Sequence, residues 1–485
     1  MSRSFAVLAA LALACSTHAS TNGSSAAAAE SPVASKPATG ASATQDAVSD
    51  EDRQAVELAD SIQKDVERIH GLEFLRPVKK GVYDRERLAK FLAKQMEKEG
   101  KAKIATDQHV MQIFGLLPPE YDLEHEMTDL LLEQIGGFYD PDTRELYILR
   151  GFQGLVAKIL MAHELCHALD DQHFDLKAKM DHLEKDFADD QDRSFAMRAV
   201  VEGSATELMN AYGVDAMAQS IRKGEAVDFE ELMKQGVGGI PMDKASSAPP
   251  ILMRPLIDAY MEGAQFLARG KGMMGMGRAK KKDVRRAFED PPLSSEQILH
   301  PNKYWKSAER DDPQEVRLPD LSGALGEGWK RSDSNVLGEL GVAVLTAPPA
   351  PESKPSTAPA TQEETMKKMM ETLTGEKTTE AASGWDGDRY DFYSGPQGAE
   401  ALVWASVWDS EADALELLAA LRVPEGVSLV TIHPAKDRVL ALFGRNLPAS
   451  ISTLGVLARA DAGMTVREIH SATEGAPSAD TDGGK

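Results

Sequence analysis

The chain has 485 residues, with 54 Lys and Arg against 77 Asp and Glu, a formal net charge of −23. That balance excludes a general nucleic-acid binder, whose surface must meet phosphate with cations, and a broad electrostatic hold on anionic membranes. Only two cysteines occur, Cys15 and Cys166, which excludes a disulfide scaffold and a multi-cysteine zinc site, while 42% hydrophobic residues suffice for a sizeable core.

Residues 1–15 read MSRSFAVLAALALAC: one basic residue, Arg3, and then an apolar run from Phe5 to Ala14. The run is too short for a membrane span and has the form of a secretory signal. Its end, Leu11-Ala-Leu-Ala-Cys15, resembles the lipobox of bacterial lipoproteins, with Cys15 as the lipidated residue. The expectation is an exported protein of the cell envelope or periplasm, held to a membrane by a lipid at Cys15 alone. Residues 16–49, rich in Ser, Ala, Thr and Gly, are expected to be a tether that buries too little apolar surface to fold.

A helix is predicted over 50–70, with Val56, Ala59, Ile62, Val66 and Ile69 on one stripe. Asp84 is placed as the N-cap of a second helix carrying Leu88, Phe91, Leu92 and Met96, and further helices are predicted over 106–115 and 122–135. The period then changes. Gly137–Leu149 holds two apolar runs around Asp140-Pro141-Asp142, a strand–turn–strand pattern. Helices follow over 154–171, 188–213 and much of 250–290, the last with a Gly/Met-rich break at 270–277. The basic run Lys280–Lys282 with Arg285 and Arg286 is expected to be a solvated helix face.

Residues 347–380, first Pro/Ala/Ser/Thr-rich and then Lys/Glu/Met/Thr-rich, are expected to be a disordered insertion or linker. Beyond them strands are predicted at 390–393, 402–407, 429–432 and 439–443, with a helix opened by Ser410 and Asp413. The expected fold class is α+β: a mostly helical catalytic domain over 50–325 with a small β-hairpin or sheet, and a smaller C-terminal α+β unit from 326–346 and 381–472, followed by a tail at 473–485.

The segment that carries chemistry is His163-Glu-Leu-Cys-His167, an HExxH pattern within a predicted buried helix. Positions four apart share a helix face, so His163 and His167 can turn their ring nitrogens to one ion. Glu164, at the rim of that face, can act as general base. A catalytic zinc site needs a third protein ligand. Glu202, in Val200-Val-Glu-Gly-Ser-Ala205, is favoured, because a carboxylate among apolar and small residues requires a cation partner. The alternative is His173, ten positions after His163, at metzincin-like spacing, although Asp170 stands where the glycine of that pattern would be. Cys166 is expected to be a buried small apolar residue, and His70 an ordinary histidine.

His163–Asp171 with Glu202 resembles the gluzincins, the thermolysin-like HExxH metallopeptidases with a downstream glutamate ligand. Gly115–Pro119, Gly136–Ile148, His163–Leu176, Val201–Thr206, Pro291–Tyr304 and Trp385–Tyr390 resemble, more closely, an uncharacterised group of bacterial and archaeal metallopeptidase-like proteins. The resemblance implies one zinc ion per chain, a peptide or protein substrate, and peptide-bond hydrolysis with Glu164 as base, as an endopeptidase rather than an exopeptidase. Thr206 stands where thermolysin-like enzymes carry an aspartate that orients a ligand histidine, so that role passes to Asp170, Asp171 or Glu207. His300 and Tyr304 are the candidate oxyanion donors, and Glu145–Leu149 the candidate substrate-binding edge strand. A rival reading is a non-catalytic zinc-binding envelope lipoprotein that acts through a partner.

Overall fold

The computed structural model describes residues 49–88, 90, 100–126, 137–151, 154–224, 248–271, 279–348 and 377–469. The signal-like segment, Cys15, the tether, Phe91, Leu92, Met96, most of the 347–380 insertion and the C-terminal tail lie outside the described residues. No described helix is long and apolar enough to cross a membrane.

The architecture is α+β. Helix α1, Asp50–His70, is capped by the Ser49 side chain, which accepts from Asp52 N at 3.1 Å, and carries three acidic residues in its first turn. It buries Ala59, Ile62 and Val66, the apolar stripe of the sequence. Strand β1, Lys79–Tyr83, lies parallel to β3, Glu145–Leu149. Strand β2, Gly137–Asp140, pairs antiparallel with β3. The β2–β3 turn is held by Asp140, whose carboxylate accepts from Asp142 N at 2.9 Å and Thr143 Oγ1 at 2.9 Å.

Helix α2, Lys101–Ile113, precedes this hairpin. After it come α3, Gly154–Phe174; α4, Leu176–Asp186; the long α5, Gln191–Lys223; and α6, Pro250–Leu267. Helices α3 and α5 pack on α1 and the three-stranded sheet through Met161, Leu165, Leu169, Ala205 and Leu208. Against another side of α5 lies α6. Here the backbones nearly touch: a Cβ on Gly203 would strike the Gly263 backbone, and one on Gly263 would strike the Ala199 carbonyl.

Short helices α7 (Lys281–Glu289), α8 (Ser295–Leu299) and α9 (Asn302–Trp305) lead to the C-terminal part. Strand β4, Gln314–Arg317, and α10, Ser322–Leu325, are followed by β5, Lys330–Asn335, and α11, Gly338–Thr346. Beyond the insertion come β6, Trp385–Ser394; β7, Glu400–Trp408; α12, Glu411–Ala420; β8, Ser428–Ala435; β9, Arg438–Arg445; α13, Thr453–Gly463; and β10, Thr465–Glu468. An antiparallel sheet in the order β5-β6-β7-β9-β8 forms the body, and β10 pairs with β4. Strand β5 pairs with β6 across the 347–380 insertion.

Two placements differ from the expected domain boundaries. Helix α2 lies against the C-terminal sheet, where Phe114 packs edge-on to Tyr390, Trp404 and Phe443. Residues 314–325 also belong with that sheet, through β4–β10 pairing and the burial of Val316, Leu321 and Leu325. The expected boundary at 325 therefore does not separate two cores. Apolar helix faces are not addressed to a partner by sequence spacing alone.

The α5–α6 approach is testable. Gly203→Ala and Gly263→Ala each add helix propensity worth about 1 kcal/mol but force two backbones apart. We expect a net destabilisation of about 2 kcal/mol or more for each, read as a shift in denaturant midpoint at unchanged m value. An unchanged midpoint would show that the crossing is looser than described.

Candidate metal centre

Helix α3 presents His163 and His167 from successive turns on one face, and α5 supplies Glu202 opposite them. His163 Nε2 lies 3.0 Å from His167 Nε2 and 3.2 Å from Glu202 Oε2, and His167 Nε2 lies 3.5 Å from the same oxygen. Ligand atoms around one tetrahedral ion at zinc bond lengths stand about 3.3 Å apart. The three atoms could therefore occupy one face of such a coordination shell. His163 is 3% exposed, and His167 and Glu202 are fully buried. Burial alone would raise the Glu202 carboxyl, but His167 and His163 outweigh it and hold it near 2. A buried anion facing two ring nitrogens is a donor set that suits a divalent cation.

Glu164 sits at the rim of this cluster. Its Oε2 accepts the backbone N–H of Tyr139 in β2 at 2.8 Å. Burial pushes its carboxyl up to about 8, against the lowering pull of His163 and of the Tyr139 N–H. Strand β3 pairs on both sides, with β1 and β2, so it is not an edge. The edge beside the HExxH helix is β2, which corrects the expectation for Glu145–Leu149. Tyr139 N–H points out of the sheet, away from β3, and is taken by Glu164.

The remaining predicted residues are placed elsewhere. His173, at the end of α3, turns its Nε2 to the Glu73 carbonyl at 2.9 Å and is not part of the cluster. The helix runs unbroken to Phe174, which carries the His173 side chain round to another face. His300 Nε2 pairs with Glu339 Oε1 at 2.9 Å. The Tyr304 hydroxyl donates to the Asp290 carbonyl at 2.6 Å, and its ring packs in the core against Phe266 and Trp305. Neither fills the expected donor role. Nor does an acid orient the ligand histidines: Asp170 engages His70, Asp171 accepts from the Tyr139 hydroxyl, and Glu207 accepts from Ala279 N. The Nδ1 atoms of His163 and His167 have no hydrogen-bond partner among the described residues.

Sequence reasoning missed Tyr260. It comes from α6 and stacks on His163 with ring centroids 5.7 Å apart. Burial, reinforced by the Glu202 and Glu164 charges, pushes its hydroxyl well above the usual phenol range, so it stays a donor. The available signal was Gly263 one turn later, which marks the close face of α6. Arg198, one turn before Glu202, is half-buried, and desolvation lowers it to about 10.

Two other groups of side chains could hold an ion among the described residues. In one, Glu296, Asp311 and Asp409, the Lys303 ammonium already sits among the carboxylates, at 2.6, 2.7 and 3.1 Å. The other is His70, Cys166 and Asp170.

Residues 325–424 match a family model described as a domain of unknown function (DUF8575). The match spans α11, β5, β6, β7 and α12 and does not reach the HExxH helix. No curated protein and no solved structure matches the chain.

Alanine at His163, His167 or Glu202 is expected to weaken zinc binding by more than about 100-fold, beyond the loss seen for an outer partner of a ligand. His173→Ala should leave affinity unchanged. Competition with a chromophoric chelator measures both. A large loss in His173→Ala with none in Glu202→Ala would reverse the ligand assignment.

Proposed function

We propose that the chain is an exported zinc metallopeptidase that cuts within peptide or protein substrates. The observation that carries this reading is the meeting of three ligand atoms from α3 and α5 with Glu164 held at their rim by β2. Zinc held by His163, His167 and Glu202 would polarise a scissile carbonyl and acidify water. The chain's own residues do the rest. Tyr139 N–H fixes Glu164 through Oε2, so Oε1 is the atom to take a proton from water and return it to the leaving amine. A carboxyl lifted by burial is better matched to such a proton near neutral pH than an exposed one. Tyr260, protonated and beside His163, is the donor placed to stabilise a developing oxyanion. The outer edge of β2, apart from the Tyr139 N–H that Glu164 occupies, is where an extended substrate would align by strand addition.

A second reading has its own support. The three ligand side chains are almost wholly buried, as a closed structural centre would be. On that reading the chain is a non-catalytic zinc-binding envelope protein acting through a partner. Glu164 separates the two, since a structural site has no use for a base.

Glu164→Gln should keep zinc and lose peptide hydrolysis by at least about 100-fold, the lower range for a general base. Tyr260→Phe should lower kcat by about 100- to 1000-fold with little change in zinc affinity. Mass spectrometry of a proteome-derived peptide mixture reads both as new termini. Equal cleavage by wild type and Glu164→Gln would remove the assigned base. Absence of cleavage by fully zinc-loaded wild type would favour the closed centre.

The anchor is a separate proposal resting on residues 1–15. Labelling with a radioactive or clickable fatty acid in a bacterial host should mark the wild type and not Cys15→Ser. Equal labelling would displace the anchor from Cys15.

A further inference from the structure

On the helix that carries His163 and His167, a different set of side chains turns toward the end of α1. His70 Nε2 lies 3.0 Å from Asp170 Oδ1, and Cys166 Sγ lies 3.7 Å from Asp170 Oδ2 and 3.9 Å from Ser204 Oγ. The ligand atoms of His70, Cys166 and Asp170 all lie within 4.8 Å of one another. Cys166 and Asp170 are one helical turn apart on α3, as paired ligands on a helix must be. His70 is the last residue of α1, so the group bridges two elements distant in sequence.

Two features remain unexplained if these residues are only structural. Asp170 is fully buried, and no Lys or Arg among the described residues pairs with it. The Cys166 thiol is fully buried yet faces a carboxylate and a hydroxyl at distances long even for sulfur, rather than apolar neighbours alone. A buried carboxylate is costly without a cation. Around a tetrahedral ion, a nitrogen and an oxygen ligand stand about 3.3 Å apart, and a sulfur and an oxygen about 3.5 Å. The observed 3.0 Å, to Asp170 Oδ1, and 3.7 Å, to Asp170 Oδ2, each lie within about 0.3 Å of those separations. A cavity of about 370 Å³, lined by His70, Ser204 and Glu207 among others, opens beside the group and gives an ion a way in.

We propose that His70, Cys166 and Asp170 form a second metal site, a sulfur-containing one for a thiophilic divalent transition metal such as zinc, with ligands distinct from those of the His163–His167–Glu202 cluster. The Cys166 proton is released to solvent as the metal–sulfur bond forms. Ser204 Oγ or a water entering from the cavity can complete the shell. The site does not depend on peptidase activity, and it stands or falls on its own residues.

Cobalt(II) is the probe, because only a thiolate ligand gives an intense near-ultraviolet charge-transfer band. The chain from residue 16 onward, saturated with cobalt, should show that band and bind two ions. Glu202→Gln should keep the band and lose one ion. Cys166→Ser should lose the band and one ion. His70→Ala, at a partly exposed position where misfolding is not expected, and Asp170→Asn should each weaken the band's binding isotherm by at least tenfold. Absence of the band from wild type at saturation would overturn the proposal. So would a band whose isotherm is indifferent to both His70→Ala and Asp170→Asn, which would mean a bare thiol contact. Failure of the peptidase reading appears instead as no cleavage with the band intact.

Discussion

A carboxylate with no exposed surface stands between two imidazoles at Glu202, and the helical part of the molecule is arranged around that fact. Removing a charge from water costs several kcal/mol unless opposite charge or metal meets it at close range. Close range requires that α5 approach both α3 and α6. Residues Ala199, Gly203 and Ala205 give α5 its narrow profile, and Gly263 gives α6 its own. The sequence Val200-Val-Glu-Gly-Ser-Ala therefore states two things at once: where the anion sits, and why the helices can close on it. Tyr260 follows from the same crossing, because it lies one turn before Gly263 on the face that α5 touches.

This explains which parts of the site were legible in the sequence. His163 and His167 announce themselves by helical spacing, and Glu202 by the apolar company of a charged residue. Both signals are local. Tyr260 has none: an aromatic in Ile257-Asp-Ala-Tyr reads as core whether it faces a lipid-like interior or a buried carboxylate. His70 fails for the same reason. At a helix C-terminus a histidine is favoured by the helix dipole, so its presence needs no ligand role until Asp170 is seen beside it. His300 and Tyr304 erred in the other direction. Their surroundings suggested function, but His300 belongs to Glu339, and Tyr304 is a core ring whose hydroxyl is satisfied by a carbonyl.

The fold divides similarly. Strands β7 and β9 carry nearly continuous apolar runs because both faces of the sheet are covered, and they are visible as such, whereas β6 buries Asp386, Asp388, Arg389 and Asp391 among its aromatics. Strand β5, Lys-Arg-Ser-Asp-Ser-Asn, has no alternation to read. It is an edge strand, and its register comes from β6 rather than from its own side chains. The placement of α2 on the C-terminal sheet is equally silent, since Val110, Ile113 and Phe114 would suit any apolar partner.

The two parts meet through buried polar contacts instead of an apolar seam alone. Asp388 in β6 accepts the indole N–H groups of Trp385 and Trp404 and the backbone N–H groups of Leu337 and Gly338, which fixes the start of α11. Gly338 has a positive φ of 69° and lies against Asp192, where a Cβ would strike the carboxylate. Asp192 in turn accepts Ser295 N at 2.9 Å, and burial pushes its carboxyl up to about 8. Asp192 stands in the first turn of α5, the helix that carries Glu202 three turns on. The C-terminal unit also meets the N-terminal end of this helix directly, where Asn335 Oδ1 of β5 accepts Gln191 N at 3.0 Å. A helix of 33 residues transmits a displacement at one end to its middle with little loss, since its hydrogen bonds are internal and its packing is dense. The position of Glu202 between the imidazoles is therefore set from two sides, by the α6 crossing at Gly203 and by the contacts of Gln191 and Asp192 at the helix start. This gives the C-terminal sheet a physical bearing on the centre without any residue of its own in it.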